Sequence, residues 1–365
     1  MCARGLLAAG VAVGCTPARH LSTTPPDRSG LELHWQQPIA TPDGDSDAPW
    51  LAIGKAGAFL AGPAVGVMAF DLAGAGDGAL LWSSSHVSVV PPVAVGEIVL
   101  TATDKALVAV RQDRDDVAWR VDLDATPKRL FLIGDHVGVA TDHEARTFDS
   151  HGTPAWRLSL EATPSTPFVT DSDLTFVGVG SNALLAIDSA TGTIRWRIPL
   201  PATPETLAAA GTRLYVSTVN GHLYSFEKTA SPKPKWDWDK IRVIGQPVVD
   251  DRSVYFTLLN NILYAFDRGG GSERWHVALP ARPVTGPLLL GDAIAVPLAD
   301  GRVMEIRPDG HVRRPAAPPN LPAALALQSA GATSERNGVA TVTTTQDQKR
   351  LLMMWGAPKP GGGSR

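Results

Sequence analysis

The chain's two cysteines, Cys2 and Cys15, both fall within the first fifteen residues. A cysteine thiolate can act as a nucleophile, ligate zinc or pair in a disulfide. Because the rest of the 365-residue chain has no cysteine, none of these uses is open to its folded body. The chemistry of Cys15 therefore has to be sought in the segment that surrounds it.

That segment has the layout of a signal peptide. One basic residue, Arg4, precedes an uncharged run over residues 5–18, which is shorter than the about 20 residues that a transmembrane helix needs. Val13-Gly14-Cys15 resembles the lipobox of bacterial lipoproteins, with Ala12 where that motif prefers Leu. We expect a signal peptide over 1–15, lipid attachment at Cys15 and a flexible linker over 16–30. Thr16 after the cysteine, in place of Asp, favours the outer membrane, and an ordinary secretory signal is the alternative.

Acidic and histidine residues could bind a metal, but their patterns favour other roles. Asp113-Arg114-Asp115-Asp116 alternates with basic charge in a turn. The Asp-rich segment 43–47 lacks the downstream Glu of a calcium loop. Asp142-His143-Glu144 falls in a predicted hairpin turn, and the nine histidines form no HExxH pattern. The sequence predicts no metal site, no catalytic residue and no cofactor.

Basic and aromatic residues alternate in the segment 233–240, as they do in nucleic-acid-binding surfaces. Asp237 and Asp239 cancel much of this charge, and the whole chain has a formal charge of −3 with a pI near 6.3. Nucleic-acid binding is therefore disfavoured. Trp238 in this segment is the one exposed candidate that we predict for contact with a partner.

Seven tryptophans recur along the chain, and their spacing indicates the repeating unit of the fold. From Trp82 onward the separations are 37, 37, 40, 40 and 39 residues, and a fixed period in this range indicates a propeller or solenoid. The seven are Trp35, Trp82, Trp119, Trp156, Trp196, Trp236 and Trp275.

Each repeat contains short apolar segments with a spacing of two, separated by turn residues such as Asn220-Gly221. This spacing is typical of strands and excludes an α-solenoid. The tripeptide Ala-Thr-Pro follows three of the tryptophan strands, at 125–127, 162–164 and 202–204. Four strands per repeat predict the blade of an all-β propeller.

Counting blades gives eight. Six end on the tryptophan strands from Trp82 to Trp275, and a degenerate seventh has Arg314 near the place of its tryptophan. The eighth lacks an outer strand at its C-terminal end, whereas residues 31–35 form an orphan strand at the other end of the chain. We predict that this N-terminal strand closes the ring, which removes both open edges. One propeller domain would span 31–355, followed by a disordered tail over 356–365; seven blades is the alternative.

The segment Ala186-Ile-Asp188-Ser-Ala-Thr191-Gly192-Thr-Ile-Arg-Trp196 matches the motif A-x-D-x-x-T-G-x-x-x-W. In this respect the chain resembles the PQQ-like propeller repeats of quinoprotein dehydrogenases and of the outer-membrane assembly lipoprotein BamB. The resemblance implies that the seven tryptophans dock neighbouring blades. Burial of an indole at each seam is expected to contribute roughly 4 to 6 kcal/mol as an upper estimate.

Three functions remain open. The first is a non-catalytic, monomeric scaffold, anchored by lipid at the periplasmic side of the outer membrane, whose partners are envelope proteins such as the β-barrel assembly machine. The second is a propeller enzyme that uses pyrroloquinoline quinone or another ligand. The resemblance to quinoprotein dehydrogenases implies it, but the pair of adjacent cysteines with which those enzymes hold the quinone is missing here. The third is an extracytoplasmic sensor or binding module.

Overall fold

The computed structural model describes residues 30–40, 49–72, 78–231, 233–239, 242–313, 325–333, 338–345 and 349–357. All regular structure in these ranges is β-strand, and it forms eight antiparallel sheets of four strands each. The first four blades are blade 1 (β2 Trp50–Ile53, β3 Ala58–Gly62, β4 Gly66–Phe70, β5 Leu80–Ser84), blade 2 (β6 Val93–Val95, β7 Ile98–Thr103, β8 Ala106–Arg111, β9 Val117–Asp122), blade 3 (β10 Arg129–Ile133, β11 His136–Ala140, β12 Glu144–Phe148, β13 Pro154–Ser159) and blade 4 (β14 Val169–Asp171, β15 Leu174–Val179, β16 Ala183–Asp188, β17 Ile194–Pro199).

The other four continue this order. They are blade 5 (β18 Pro204–Ala210, β19 Arg213–Thr218, β20 Leu223–Glu227, β21 Trp236–Trp238), blade 6 (β22 Val243–Val249, β23 Ser253–Leu258, β24 Ile262–Asp267, β25 Glu273–Ala278), blade 7 (β26 Leu288–Leu290, β27 Ala293–Pro297, β28 Val303–Ile306, β29 Val312–Arg313) and blade 8 (β30 Leu325–Thr333, β31 Gly338–Thr345, β32 Arg350–Gly356, β1 Glu32–Ile39). The chain is an eight-bladed propeller, as the sequence predicts, and the alternative of seven blades is wrong.

Turn residues and the apolar pattern explain why each blade forms. Asn182 and Asn261 occupy the left-handed region between the middle strands of blades 4 and 6, with φ of 58° and 61°, a conformation that asparagine tolerates in tight hairpins. Middle strands such as β16 are buried along their whole length, whereas outer strands such as β17 are largely exposed. The core therefore lies between the blades, where middle strands of neighbouring sheets face each other.

The N-terminal strand closes the ring. β1 pairs antiparallel with β32, with Trp35 opposite Met354, and β30 of the same blade contacts both β26 of blade 7 and β2 of blade 1. Leu31, directly before β1, and Ile39, its last residue, are buried. The prediction that the N-terminal strand completes the last blade is confirmed.

The outer strand of blade 7 has no tryptophan. In blades 1–6 the outer-strand tryptophan lies opposite an alanine, serine or threonine of the third strand, as Trp275 lies opposite Ala265. At the same register position blade 7 has Arg313 opposite Glu305; it is adjacent to Arg314, which the sequence analysis places near this position and which lies outside the described residues. The turn of blade 7 is shorter, which moves this position along the sequence.

Candidate functional site

The seams between blades repeat one hydrogen bond. The indole Nε1 of a tryptophan on an outer strand donates to a backbone carbonyl in the last turn of the following blade. This bond joins Trp82 to Gln112 (2.9 Å), Trp119 to Ser150 (2.8 Å), Trp156 to Ser189 (3.0 Å) and Trp275 to Pro308 (2.8 Å). Each of these four side chains is half-buried. The repeated contact links consecutive blades around much of the ring.

Within blade 4, the residues of the A-x-D-x-x-T-G motif build the turn that receives Trp156. Asp188 Oδ1 accepts hydrogen bonds from the backbone N–H and the hydroxyl of Thr191, both at 2.8 Å. Gly192 has φ of 71°, and a Cβ at this position would lie 2.5 Å from Cδ2 of Trp156. Glycine is therefore required both by the backbone conformation and by the indole that lies against it.

Arg195 completes this turn. Its Nε donates to Asp188 Oδ2 at 3.0 Å, and its Nη2 contacts the same oxygen. The hydrogen bonds from Arg195, followed by those from Thr191, lower the pKa of Asp188 to about 2. Asp188 is thus held as a carboxylate that supports the turn and has no free oxygen aimed at a ligand.

Trp35 and Trp196 also face a following blade. A Cβ on Gly78, whose φ is 68°, would lie 2.4 Å from Cζ3 of Trp35, so the tryptophan of blade 8 lies against blade 1. Trp196 packs in the cluster that joins blades 4 and 5, 5.7 Å from Phe176 between ring centroids. At the seam between blades 7 and 8, Glu305 contacts Arg313 and accepts a hydrogen bond from the Leu31 backbone.

Trp238 is half-buried, which corrects the expectation that it is exposed. Its Nε1 donates to the Gly271 carbonyl at 2.8 Å, and its ring lies 4.7 Å from that of Phe266. Trp236, at the register position of the other tryptophans, is buried with an Nε1 that has no hydrogen-bond partner. At this seam the indole–carbonyl bond has moved by two residues, a shift that the spacing of the tryptophans does not reveal.

The two faces of the ring differ in their connections. One face carries the hairpins between middle strands (such as 180–182, 219–222 and 259–261) and the connections between consecutive blades (such as 160–165 and 200–203). We call it the crossover face. We call turn face the opposite one, which carries the first and last turns of each blade (such as 211–212, 250–252 and 267–272).

Two threonines of the repeated Ala-Thr-Pro tripeptide act as clamps on the crossover face, because each is hydrogen-bonded to hairpins of two adjacent blades. The Thr163 carbonyl accepts from the Gly180 N–H at 2.9 Å, while its hydroxyl donates to Asp142 of the preceding blade at 2.9 Å. Thr203 repeats this arrangement with the Val219 N–H (3.0 Å) and with the Asn182 Oδ1 atom (2.6 Å). The two threonines therefore join hairpins of adjacent blades and fix the shape of this part of the face.

Two apolar side chains project from hairpins of the crossover face, one in blade 5 and one in blade 6. Val219 and Leu259 occupy equivalent positions after the second strands of blades 5 and 6, and they are 46% and 43% exposed. Single exposed apolar residues are common, but two at equivalent hairpin tips of neighbouring blades form a small apolar element on a rigid face.

Charged residues of the crossover face pair with one another. Glu144, from the Asp142-His143-Glu144 segment, contacts both Arg146 and Arg157, and Asp142 lies 3.6 Å from Lys128. The hydrogen bond from Arg146 lowers the pKa of Asp124.

Within the described ranges no group of three or more His, Cys, Asp or Glu could hold a metal, and no helix is long and apolar enough to cross a membrane. Cys15, the Asp-rich segment 43–47, the signal peptide and most of the linker and tail lie outside the described residues.

Comparison with solved structures shows the same fold in proteins of distant sequence. BamB from Moraxella catarrhalis has a TM-score of 0.67 at 17% identity, with 89% of this chain and 99% of that chain covered. The computationally designed protein Ika8 has a TM-score of 0.67 at 14% identity, with coverages of 88% and 99%. Sqt1 of Saccharomyces cerevisiae has a TM-score of 0.67 at 12% identity, with 88% of this chain and 99% of that chain covered.

Sequence comparison identifies the family. No curated protein matches the chain significantly in sequence. The profile of a family described as "Outer membrane protein assembly factor BamB" matches residues 66–277, from the third strand of blade 1 to the outer strand of blade 6. This match covers more than half of the 365 residues and includes the turn motif of blade 4. The chain belongs to this family of BamB-like propellers.

Proposed function

We propose that this chain is a non-catalytic scaffold of the cell envelope that binds other proteins and takes part in the assembly of outer-membrane β-barrel proteins. The observation that carries the proposal is the match of the BamB family profile to blades 1–6. In this proposal Cys15 carries a lipid, and the monomeric ring faces the periplasm at the outer membrane. Its partners are envelope proteins, in particular the barrel-assembly machine.

The crossover face of blades 3–6 is the surface that we propose for the partner. The Thr163 and Thr203 clamps join the hairpins of blades 3, 4 and 5 on this surface, so binding there would cost little conformational entropy. Val219 and Leu259 supply apolar area at its hairpin tips, and paired charges elsewhere on this surface, such as Glu161 with Arg197 at 3.0 Å, supply polar area.

Cross-linking in cells tests this proposal. A photoreactive residue at position 219 or 259 should recover a component of the barrel-assembly machine, and the double variant Val219→Lys/Leu259→Lys should reduce its recovery from membranes severalfold. Leu81→Lys is the matched control, because Leu81 is 48% exposed but lies on the outer strand of blade 1. Loss of the partner in the control as well would contradict this choice of face.

Two outcomes would change the function itself. Saturable binding of pyrroloquinoline quinone with dye-linked oxidation of an alcohol or sugar would replace the scaffold by an enzyme. Cross-links to envelope proteins that never include an assembly component would keep the scaffold and remove the role in barrel assembly.

A further inference from the structure

Arginines cluster on the turn face at the seam between blades 5 and 6. Arg213 comes from the first turn of blade 5, and Arg252 and Arg268 come from the first and last turns of blade 6. They line an open cleft of about 470 Å³. Arg274, Asp251 and Asp267 also line it, so four arginines face two aspartates.

Most donors of these guanidinium groups are unused. Nη2 of Arg213 lies 3.4 Å from the Gly269 carbonyl, and Nη1 of Arg213 is buried without a hydrogen-bond partner. Nη1 of Arg268 donates to the Asp250 carbonyl at 3.2 Å. In the described part of the chain, no carboxylate lies within 4.0 Å of the guanidinium groups of Arg213, Arg252 or Arg268. A guanidinium offers five N–H donors, so this seam holds positive charge with spare donors.

The two aspartates of the cleft do not supply the missing acceptor. Asp267 lies 3.6 Å from Arg274, and its Oδ1 accepts from the backbone N–H groups of Gly269 and Gly270 at 3.1 and 2.7 Å. Its carboxylate is therefore fixed by its own turn. Asp251 is exposed at the tip of the neighbouring turn.

The preceding seam has a carboxylate that the seam between blades 5 and 6 lacks. Between blades 4 and 5, Lys228 follows the third strand of blade 5 as Arg268 follows that of blade 6, and it pairs with Asp171 at the end of β14. Asp171 lies opposite Leu174, whereas Ala210 lies opposite Arg213 in blade 5. At the seam between blades 5 and 6, alanine thus replaces the carboxylate, and an additional arginine replaces leucine.

We propose that this cleft binds a small anion that carries carboxylate or phosphate groups. The planar fork of arginine matches both groups in bidentate geometry, and an oxyanion beside Arg213 and Arg268 would take the place that Asp171 has at the preceding seam. A cleft of this volume is in the range of small-molecule sites. The site lies on the face opposite the proposed protein-binding surface, so it is independent of that proposal.

Calorimetric titration of the purified chain with citrate and with pyrophosphate, at constant ionic strength, tests the site. We expect saturable binding of at least one of them, and the stronger of the two identifies the group that is preferred. Arg268→Gln and Arg213→Gln should each weaken binding about tenfold or more, since each removes charged hydrogen bonds to the anion. Arg120→Gln, on the exposed outer strand of blade 2, should leave it unchanged. Equal affinities in the Arg268→Gln and wild-type chains, or no binding of either anion at millimolar concentration, would overturn the proposal.

Ala210→Asp provides a test that does not rely on removing an arginine. Ala210 is half-buried beside the seam, and aspartate there would rebuild the pairing that Asp171 makes with Lys228. We expect this variant to melt at a higher temperature than wild type in anion-free buffer and to lose the response to citrate and pyrophosphate. An Ala210→Asp chain that binds either anion with wild-type affinity would show that the cleft is not the site.

Discussion

A glycine in the last turn of several blades lies against the indole of the preceding blade. Gly152, Gly192, Gly271 and Gly310 all have positive φ, and a Cβ at each of them would lie 3.0 Å or less from a tryptophan atom. The residue type is therefore set twice, by its own backbone and by a side chain of another blade. This double constraint gives the glycine of the repeat motif a physical reason.

The substitution Gly192→Ala separates these two constraints. A left-handed alanine costs about 1 to 2 kcal/mol, and displacement of the Trp156 indole should add about 1 kcal/mol or more. Gly134→Ala is the control, because Gly134 has φ of 60° but a Cβ there would meet no atom within 4 Å. Urea denaturation should show a larger loss of unfolding free energy for Gly192→Ala, and equal losses would mean that the indole contact is soft.

Asp188 makes the same turn sensitive to pH. Its pKa is lowered from 3.8 to about 2 in the folded protein, so the stability that it contributes is fully present above about pH 4 and is lost as the pH falls toward 2. We expect Asp188→Asn to melt below wild type at pH 7, with a difference that narrows between pH 4 and pH 3. Asp122→Asn, at an exposed side chain on the outer strand of blade 2, serves as control. A constant difference across this range would exclude the charge of Asp188 as the cause.

At the scale of the element, closure depends on a strand from the far end of the chain. β1 adds the outer strand of blade 8, buries Leu31 and Ile39, and brings Trp35 against Gly78 of blade 1. One short segment thus completes a sheet and the seam that follows it. Without it, the edge of β32 would be open to pairing with another chain.

Deletion of residues 30–39 should therefore destabilise the whole ring. Lost burial of Leu31 and Ile39 alone is worth about 3 to 6 kcal/mol, and we expect the truncated chain to melt lower and to form oligomers in light scattering. A chain that lacks only residues 1–29 keeps β1 and should stay monomeric with unchanged melting. If both truncated chains behave alike, closure by β1 does not determine stability.

The sequence predicts these elements unevenly. The tryptophan period and the orphan strand around Trp35 are enough to predict eight blades and their closure, because seven of the eight repeats carry an indole at the same position of the outer strand. β30 (Leu325–Thr333) escapes sequence-based prediction, since its small and polar residues lack the apolar alternation of a strand and follow a Pro-rich segment. The Arg213–Arg268 cluster escapes it too, because these residues are 55 positions apart and meet only through the packing of two blades.

At the scale of the whole molecule, eight sheets and their seams form a scaffold with two distinct faces. The crossover face is clamped by threonines and carries paired charges, whereas the turn face carries the unpaired arginines. A ring of this kind can present one surface to a protein and the other to a small anion. We predict that the segment preceding the ring determines where the ring acts.

The last prediction is that Cys15 tethers this ring to a membrane. Acyl chains contribute about 0.8 kcal/mol per buried CH₂, and stable anchoring requires more than one chain, which the modified cysteine of a bacterial lipoprotein would supply. Labelled fatty acid should mark the wild-type chain and the Cys2→Ser control but not Cys15→Ser, which should move from the membrane to the soluble fraction while its ring melts unchanged. Label and membrane association that persist in Cys15→Ser would refute the tether at Cys15. A soluble Cys15→Ser ring that still cross-links through position 219 would show that the tether only raises the local concentration of a preformed binding surface.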